Sequence, residues 1–104
     1  MIKLVVSLEY GCFPVWRYTE SEEIIDNCLP DELCEDKELL AIFLKIDRVF
    51  HSIYVNNKKE FYCKGFSSNK KEEKFRKLLR KAVKMLEERC GDKYEVINRL
   101  GYYS

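Results

Sequence analysis

IKLVVSLEY, residues 2–10, alternates apolar with polar side chains, and a repeat of two residues is typical of a β-strand with one buried face. One side of this predicted strand carries Ile2, Leu4, Val6, Leu8 and Tyr10. Val5 interrupts the pattern, because it falls among the polar residues of the other side. The chain is therefore expected to begin with a strand, and the segments that follow decide what this strand pairs with.

Two further strands are predicted directly after the first. Residues 13–19 are rich in aromatic and β-branched side chains, and residues 23–26 follow a short polar stretch. Turns are expected at residues 11–12 and 20–22. Pro14 cannot donate a hydrogen bond to a neighbouring strand, so it should lie at the start of its strand or on a sheet edge. Together these segments predict a three-stranded antiparallel meander.

Two long helices are predicted by apolar residues that recur about every 3.6 positions. The first spans residues 36–55 and is followed by two asparagines; the second spans residues 67–91, with capping side chains at its start and a glycine at its end. A fourth strand is expected at residues 60–66 and a short last strand at 94–97. The order βββαβα(β) predicts an α+β fold, a mostly antiparallel sheet with two long helices packed on it.

The composition indicates one folded domain over residues 1–104, because 46% of the residues are hydrophobic and 36% are charged. No apolar run approaches the roughly 20 residues that span a bilayer, and the first residues lack the features of a signal peptide. The five cysteines are scattered without a C-x-x-C pair, and there is one histidine. We therefore expect a cytoplasmic protein with free thiols, without a metal site or cofactor.

The net charge of +1 conceals an uneven distribution along the chain. Residues 57–93 contain thirteen bases and six acids, a sum of +7, whereas residues 20–38 contain nine acids and one base, a sum of −8. Such asymmetry bears on partners rather than on the fold. The nine acids, called the acidic segment below, are Glu20, Glu22, Glu23, Asp26, Asp31, Glu32, Glu35, Asp36 and Glu38.

The bases of the second predicted helix allow two interpretations. Clustered Lys and Arg over residues 70–89 are typical of a nucleic-acid-binding module. The alternative is a solvated helix face with ion pairs four residues apart, such as Glu72 with Arg76. Because no Gly-rich basic loop or aromatic nucleic-acid signature accompanies these bases, we favour the solvated face.

The acidic segment also has more than one interpretation. Nine carboxylates at this density repel one another unless cations offset them, and the D-x-[DN]-x-[DN]-G spacing of a calcium loop is absent. A basic protein partner fits, since carboxylates can replace phosphates in a cationic cleft and speed association. An acidic surface without a partner is the alternative.

One pair of residues could support catalysis, a Cys12 nucleophile with His51 as its base. His51 falls late in a predicted helix, and no acidic residue is evident that would orient it. No phosphate-binding loop, G-x-S-x-G or H-E-x-x-H motif is present either. We therefore expect that the chain is not an enzyme.

Four stretches carry a resemblance to a known family: EYGCFPVWRYTESEEIIDNCLPDEL (9–33), DKEL (36–39), KEFYCKGF (59–66) and GDKYEVINRL (91–100). Together they resemble small bacterial immunity proteins that are encoded beside polymorphic toxins, including those of contact-dependent growth inhibition (CDI) systems. The resemblance implies a cytoplasmic protein that binds a cognate toxin domain, often a nuclease, and blocks its active site or a nearby surface.

This resemblance offers a partner for the acidic segment, because nuclease toxins are usually basic where they hold nucleic acid. We expect the nine acids to bind the toxin together with Trp16 and Tyr18, since these aromatic types are enriched in binding hot spots. A core position for Trp16 is the alternative. No membrane, nucleic-acid or small-molecule partner is expected, and Gly11 and Pro14 would shape the turn in which Cys12 lies.

Overall fold

A computed structural model describes residues 1–103, and its architecture confirms the predicted α+β class. The strands are β1 Ile2–Val6, β2 Val15–Tyr18, β3 Ile24–Asp26, β4 Tyr54–Asn56, β5 Phe61–Cys63 and β6 Tyr94–Asn98. The helices are α1 Asp31–Cys34, α2 Lys37–Ser52 and α3 Asn69–Cys90, followed by a 3₁₀ turn at Gly101–Tyr103. The short helix α1 was not predicted.

The main sheet has the strand order β3-β2-β1-β6. β1 pairs antiparallel with β2, and β2 pairs antiparallel with β3, which confirms the meander. The last predicted strand is also present as β6, and it pairs parallel with β1 from Ile2–Tyr94 to Val6–Asn98. β3 and β6 are therefore the two edges of this sheet.

The region after α2 differs from the prediction in two ways. The helix ends at Ser52 rather than at residue 55, because Tyr54–Asn56 pairs with Phe61–Cys63 as a separate two-stranded hairpin. The predicted fourth strand therefore has three residues and does not join the main sheet. Asn57 closes this hairpin, since its side chain accepts from the backbone N–H groups of Lys59 and Glu60.

The first turn is longer than predicted, since β1 ends at Val6 and β2 begins at Val15. Pro14 lies directly before β2, as expected, and its carbonyl accepts from the Ser7 N–H group at 3.0 Å. Gly11 has a φ of +82°, which a residue with a side chain adopts at a cost. EYGCFPVW is therefore a loop that leads into a strand.

The core lies between one face of the main sheet and the helices. β1 contributes Leu4 and Val6 to the core cluster, whereas Val5 is buried on the opposite face of the sheet. The buried residues of α2 and α3 complete the cluster: Leu39, Ile42, Phe43, Ile46 and Phe50, and Phe75, Leu79, Ala82, Val83, Leu86 and Cys90. Side chains of Asp36 and Ser68 cap the two helices at their N-termini.

Candidate functional site

The acidic segment does not form one continuous surface, because its members are paired with bases from several parts of the chain. On the face of the sheet away from the helices, Glu22 accepts from Lys3 at 2.7 Å and from Arg99 at 2.9 Å. Glu22 has a φ of 70° in the turn between β2 and β3. Its two cations come from β1 and from the segment after β6, 19 and 77 residues away.

On the helix-facing side of the sheet, Asp26 accepts from Arg17 through both carboxylate oxygens. The two residues are directly paired across β2 and β3. The Arg17 guanidinium therefore lowers the pKa of Asp26, against the opposing effect of partial burial. Asp26 is a structural ion pair of the hairpin.

Further acids are neutralised at the ends of other elements. Asp36 and Glu38 both contact Arg89 near the end of α3, and this contact joins the start of α2 to α3. Glu20 pairs with the amino group of Met1. Five of the nine acids thus already have a cationic partner within the molecule: Glu20, Glu22, Asp26, Asp36 and Glu38.

The remaining four acids form no ion pair within residues 1–103: Glu23, Asp31, Glu32 and Glu35. Three of them lie on or directly after α1 and are exposed. Glu32 accepts a hydrogen bond from the Tyr94 hydroxyl, which raises the pKa of Tyr94 to about 12 and lowers the pKa of Glu32. We call Asp31, Glu32 and Glu35 the α1 acids.

The edge strand β3 exposes two isoleucines. Ile24 is 60% exposed and Ile25 is 42% exposed. Glu32 lies near Arg17, the partner of Asp26 on β3, and the charge of Arg17 helps to lower the pKa of Glu32. The hydrogen bond of Glu32, however, is to Tyr94 on β6, the opposite edge of the sheet. Exposed apolar side chains therefore lie on β3, and unpaired carboxylates lie at α1, which follows β3 in the chain.

The two predicted aromatic residues lie on the face of the sheet away from the helices. Trp16 pairs with Val5 across β1 and β2. It is partly buried, which is intermediate between the exposed binding position that was predicted and the core position that was the alternative. Its Nε1 is buried and has no hydrogen-bond partner among residues 1–103. The guanidinium of Arg99 lies 5.5 Å from the centre of the Tyr18 ring. Neither ring contacts an α1 acid, because Glu32 approaches Arg17 and Tyr94 on the helix-facing side of the sheet.

The predicted Cys12–His51 pair is only partly brought together. His51 reaches the turn that contains Cys12, but its Nε2 accepts from the Gly11 N–H group at 2.8 Å. Its Nδ1 lies 2.7 Å from the carbonyl oxygen of Asp47 and 3.3 Å from Oδ1 of that residue, an acidic neighbour that the sequence interpretation overlooked. Nε2 thus holds the turn against α2, while Nδ1 fixes the ring through Asp47 on the same helix. Nε2 has no free lone pair for a thiol.

The ion pairs that the α3 bases form within residues 1–103 differ from those predicted, because none of them joins residues four apart. Arg76 contacts Glu73 at 4.0 Å rather than Glu72, and its Nη1 donates to the Tyr102 carbonyl at 2.6 Å. Its guanidinium also lies 4.6 Å from the centre of the Tyr102 ring. Arg76 therefore fastens the C-terminal 3₁₀ turn to α3.

Residues 1–103 contain no group of three His, Cys, Asp or Glu side chains placed to hold a metal ion. Within the same residues, no helix has the length and apolar character needed to cross a bilayer. All five cysteines are unpaired, and Cys28 and Cys63 are exposed.

Glu22 predicts how stability changes with pH. Lys3 and Arg99 lower the pKa of this carboxyl from its ordinary 4.5 to about 2. The folded protein binds a proton on the Glu22 carboxyl more weakly than the unfolded chain does. The contribution of Glu22 to the free energy of unfolding is therefore complete above pH 4.5 and is lost as the pH falls towards 2. Between about pH 6 and about pH 3, urea unfolding should show a smaller decrease in the free energy of unfolding for Glu22→Gln than for the wild type. An equal decrease in the two proteins would contradict this role.

Comparison with known proteins supplies the family. A family model described as Serratia CdiI immunity protein-like matches residues 2–99, which include every strand and all three α-helices. No curated protein matches the chain. The match confirms the resemblance to CDI immunity proteins, implies a cognate toxin protein as the partner and suggests a role other than catalysis. The chain belongs to the Serratia CdiI immunity protein-like family.

Proposed function

We propose that this protein neutralises a cognate toxin domain by binding it in the bacterial cytoplasm. Membership of an immunity protein family supports the neutralising role. The five unpaired cysteines fit a reducing compartment. Inhibition requires a surface of this protein that covers the toxin. We assign that role to the edge strand β3 and the α1 acids.

The α1 acids are the observation on which this assignment depends. Asp31, Glu32 and Glu35 form no ion pair within residues 1–103, so no contacting base cancels their field, although Lys93 and Arg17 lie near Glu32. Uncompensated charge of one sign steers a partner of the opposite sign towards the surface and raises the association rate. A basic toxin surface is the complement of these negative charges.

The exposed isoleucines of β3 suit the centre of an interface. A protein interface generally combines a dehydrated apolar centre with a polar rim. Ile24 and Ile25 would supply the apolar contacts, and Glu23 and the α1 acids would supply the rim. Trp16 and Tyr18 would reach a toxin that extends around β3 to the other face of the sheet.

The acids that are already paired have a different part in this proposal. Glu20, Glu22, Asp26, Asp36 and Glu38 hold the β2–β3 hairpin and the start of α2 in place. They remain within the contact surface, but a partner would have to compete with Lys3, Arg17, Arg89 or Arg99 for them. A rigid surface loses less conformational entropy on binding.

We further propose that the toxin is a nuclease. An enzyme that holds a phosphate backbone needs clustered bases in its cleft. The α1 acids could occupy such a cleft as phosphate mimics, so that the immunity protein and the nucleic acid compete for one surface. Inhibition would then weaken when excess substrate is added, whereas binding elsewhere would leave inhibition independent of substrate concentration.

A charge-reversal pair tests the binding surface. Asp31→Lys with Glu35→Lys should slow association with the purified toxin domain about tenfold at low salt, because the steering field changes sign. The matched control is Glu9→Lys with Glu60→Lys, which changes the net charge equally at exposed acids without ion-pair partners in residues 1–103. Stopped-flow fluorescence would measure the rates.

The control variant separates a local contact from a general effect of charge. Equal slowing in both variants would show that only net charge matters and would remove the α1 acids from the interface. Failure of the wild-type protein to bind or protect against the toxin encoded beside it would refute the neutralising role itself.

A further inference from the structure

A groove runs between α2 and α3 on the side of these helices away from the sheet. Its central part encloses about 470 Å³ and is lined by Lys45, Val49, Ser52, Phe66, Lys71, Lys74, Phe75 and Leu78. It continues towards the start of α2 past Ala41, Ile42, Lys81 and Met85, sharing Lys45 and Leu78 with the central part. The two helices run antiparallel along it. Its lining extends along α3 from Lys71 to Met85, which is about four helical turns.

The floor of the groove is apolar and incompletely covered. Val49, Phe66, Leu78 and Met85 are each only partly buried and pack against the edge of the core cluster. A solvent-accessible apolar strip of this kind costs free energy in water, and covering it would recover that free energy.

The rim of the groove is positively charged. Lys45, Lys71, Lys74 and Lys81 line it, and their ammonium groups have no hydrogen-bond or ion-pair partner among residues 1–103. Glu38 is the one acid along the lining, and it lies at one end, 3.6 Å from Arg89. Four free cations therefore border one apolar strip.

We propose that this groove binds an amphipathic, acidic helix of a protein partner. Apolar side chains of such a helix would cover the floor, and carboxylates on its two flanks would pair with lysines from α2 and α3. A nucleic acid fits less well, because its phosphates and sugars would lie against Val49, Phe66 and Leu78. The proposal does not depend on the toxin surface at β3, since the groove belongs to the helices on the other side of the core.

The geometry suits a helical occupant in particular. Besides the buried Phe75, the α3 residues that line the groove are spaced at alternating intervals of three and four: Lys71, Lys74, Leu78, Lys81 and Met85. This spacing makes one straight stripe along a helix and is the pattern by which helices pack side by side. A third helix lying in the groove would complete a three-helix layer.

The probe for this proposal is a synthetic peptide of about 18 residues, with leucines at helical spacing and glutamates on both flanks. We expect this peptide to bind the full protein with a Kd of about 10 μM, and we expect the binding to weaken as salt is added. Fluorescence anisotropy would measure binding. A peptide with the same composition in scrambled order should not bind.

Two double variants separate the groove from the general charge of α3. Lys74→Glu with Lys81→Glu should weaken peptide binding at least about tenfold, because carboxylates would then face carboxylates. Lys77→Glu with Lys84→Glu makes the same charge change at exposed α3 lysines outside the groove lining and should have little effect. Leu78→Gln should weaken binding while leaving the charge unchanged.

Other occupants have distinct signatures. Binding of a single-stranded RNA of similar length more tightly than the peptide would assign the lysines to nucleic acid and overturn the proposal. Concentration-dependent dimerisation that the groove variants abolish would assign the groove to a second copy of the chain. Absence of binding at a protein concentration of about 500 μM would also refute the proposal that the groove binds an acidic helix.

Discussion

Replacing Phe43 by alanine should lower the free energy of unfolding by about 3–5 kcal/mol, the largest effect expected of a single substitution in this protein. Phe43 lies in the middle of α2 and is completely buried. Its ring centre is 6.3 Å from that of Phe13, in the loop before β2. Removing the ring leaves a cavity that the surrounding helices and sheet cannot close, so both transfer free energy and packing contacts are lost.

Phe61→Ala is the matched control for this change. Phe61 is the same residue type but is 57% exposed on β5, so the same truncation should cost much less. Urea unfolding followed by far-ultraviolet circular dichroism would give both values. A loss below about 1 kcal/mol for Phe43→Ala would mean that α2 does not pack on the sheet as described.

Replacing Asn27 by alanine should cost about 2–3 kcal/mol, although this residue lies outside every regular element. Its side-chain nitrogen donates to the carbonyl oxygens of Phe13 at 2.7 Å and Val15 at 2.8 Å. Its side-chain oxygen accepts from the Phe13 N–H group at 2.8 Å. One amide thus satisfies three backbone groups at the entry to β2, and truncation would leave them partly buried without partners.

Two variants test this explanation with the same unfolding experiment. Asn27→Asp keeps an acceptor for the Phe13 N–H group but cannot donate, so a carboxylate would face two carbonyl oxygens and the loss should be at least as large. Asn56→Ala is the control, because the side chain of Asn56 is exposed and bonds only to the Tyr10 hydroxyl. Equal, small losses at Asn27 and Asn56 would show that the three bonds contribute little.

The elements that were predicted well are those whose residue pattern is visible within one continuous stretch of sequence. The alternation in residues 2–6 and the repeat of 3.6 in α2 and α3 each extend over enough residues to define a buried face. The capping residue Ser68 acts within one turn of its own position, so a cap at the start of α3 was predicted from the sequence. The cap that Asp36 provides for α2 was not predicted.

The hairpin β4–β5 shows why other elements could not be predicted. Its second strand, β5, lies within the predicted strand at residues 60–66, but its first strand, β4, has only three residues, too few for a repeat of two to be distinguished from the end of a helix. Tyr54–Asn56 continues the apolar pattern of α2, and only pairing with Phe61–Cys63 makes it a strand. Backbone pairing between distant residues is a property of the folded chain.

The acidic segment illustrates the same limit for the candidate site. Counting charges along the sequence assigns residues 20–38 a sum of −8 but does not reveal where each charge is neutralised. Arg99 lies 77 residues from Glu22, and Arg89 lies 53 residues from Asp36, yet each pair is in contact. The tertiary structure therefore leaves the α1 acids, rather than the whole segment, as the uncompensated charge.

The sequence by itself determined the α+β class, the meander, the two long helices and the resemblance to immunity proteins. These features depend on periodicity and on short stretches of sequence, which are present before the chain folds. Tertiary structure alone decided which acids form no ion pair, that β3 exposes Ile24 and Ile25, and that lysines border an apolar groove. A binding surface joins residues that are distant in sequence, and its electrostatic field depends on distances that only folding establishes.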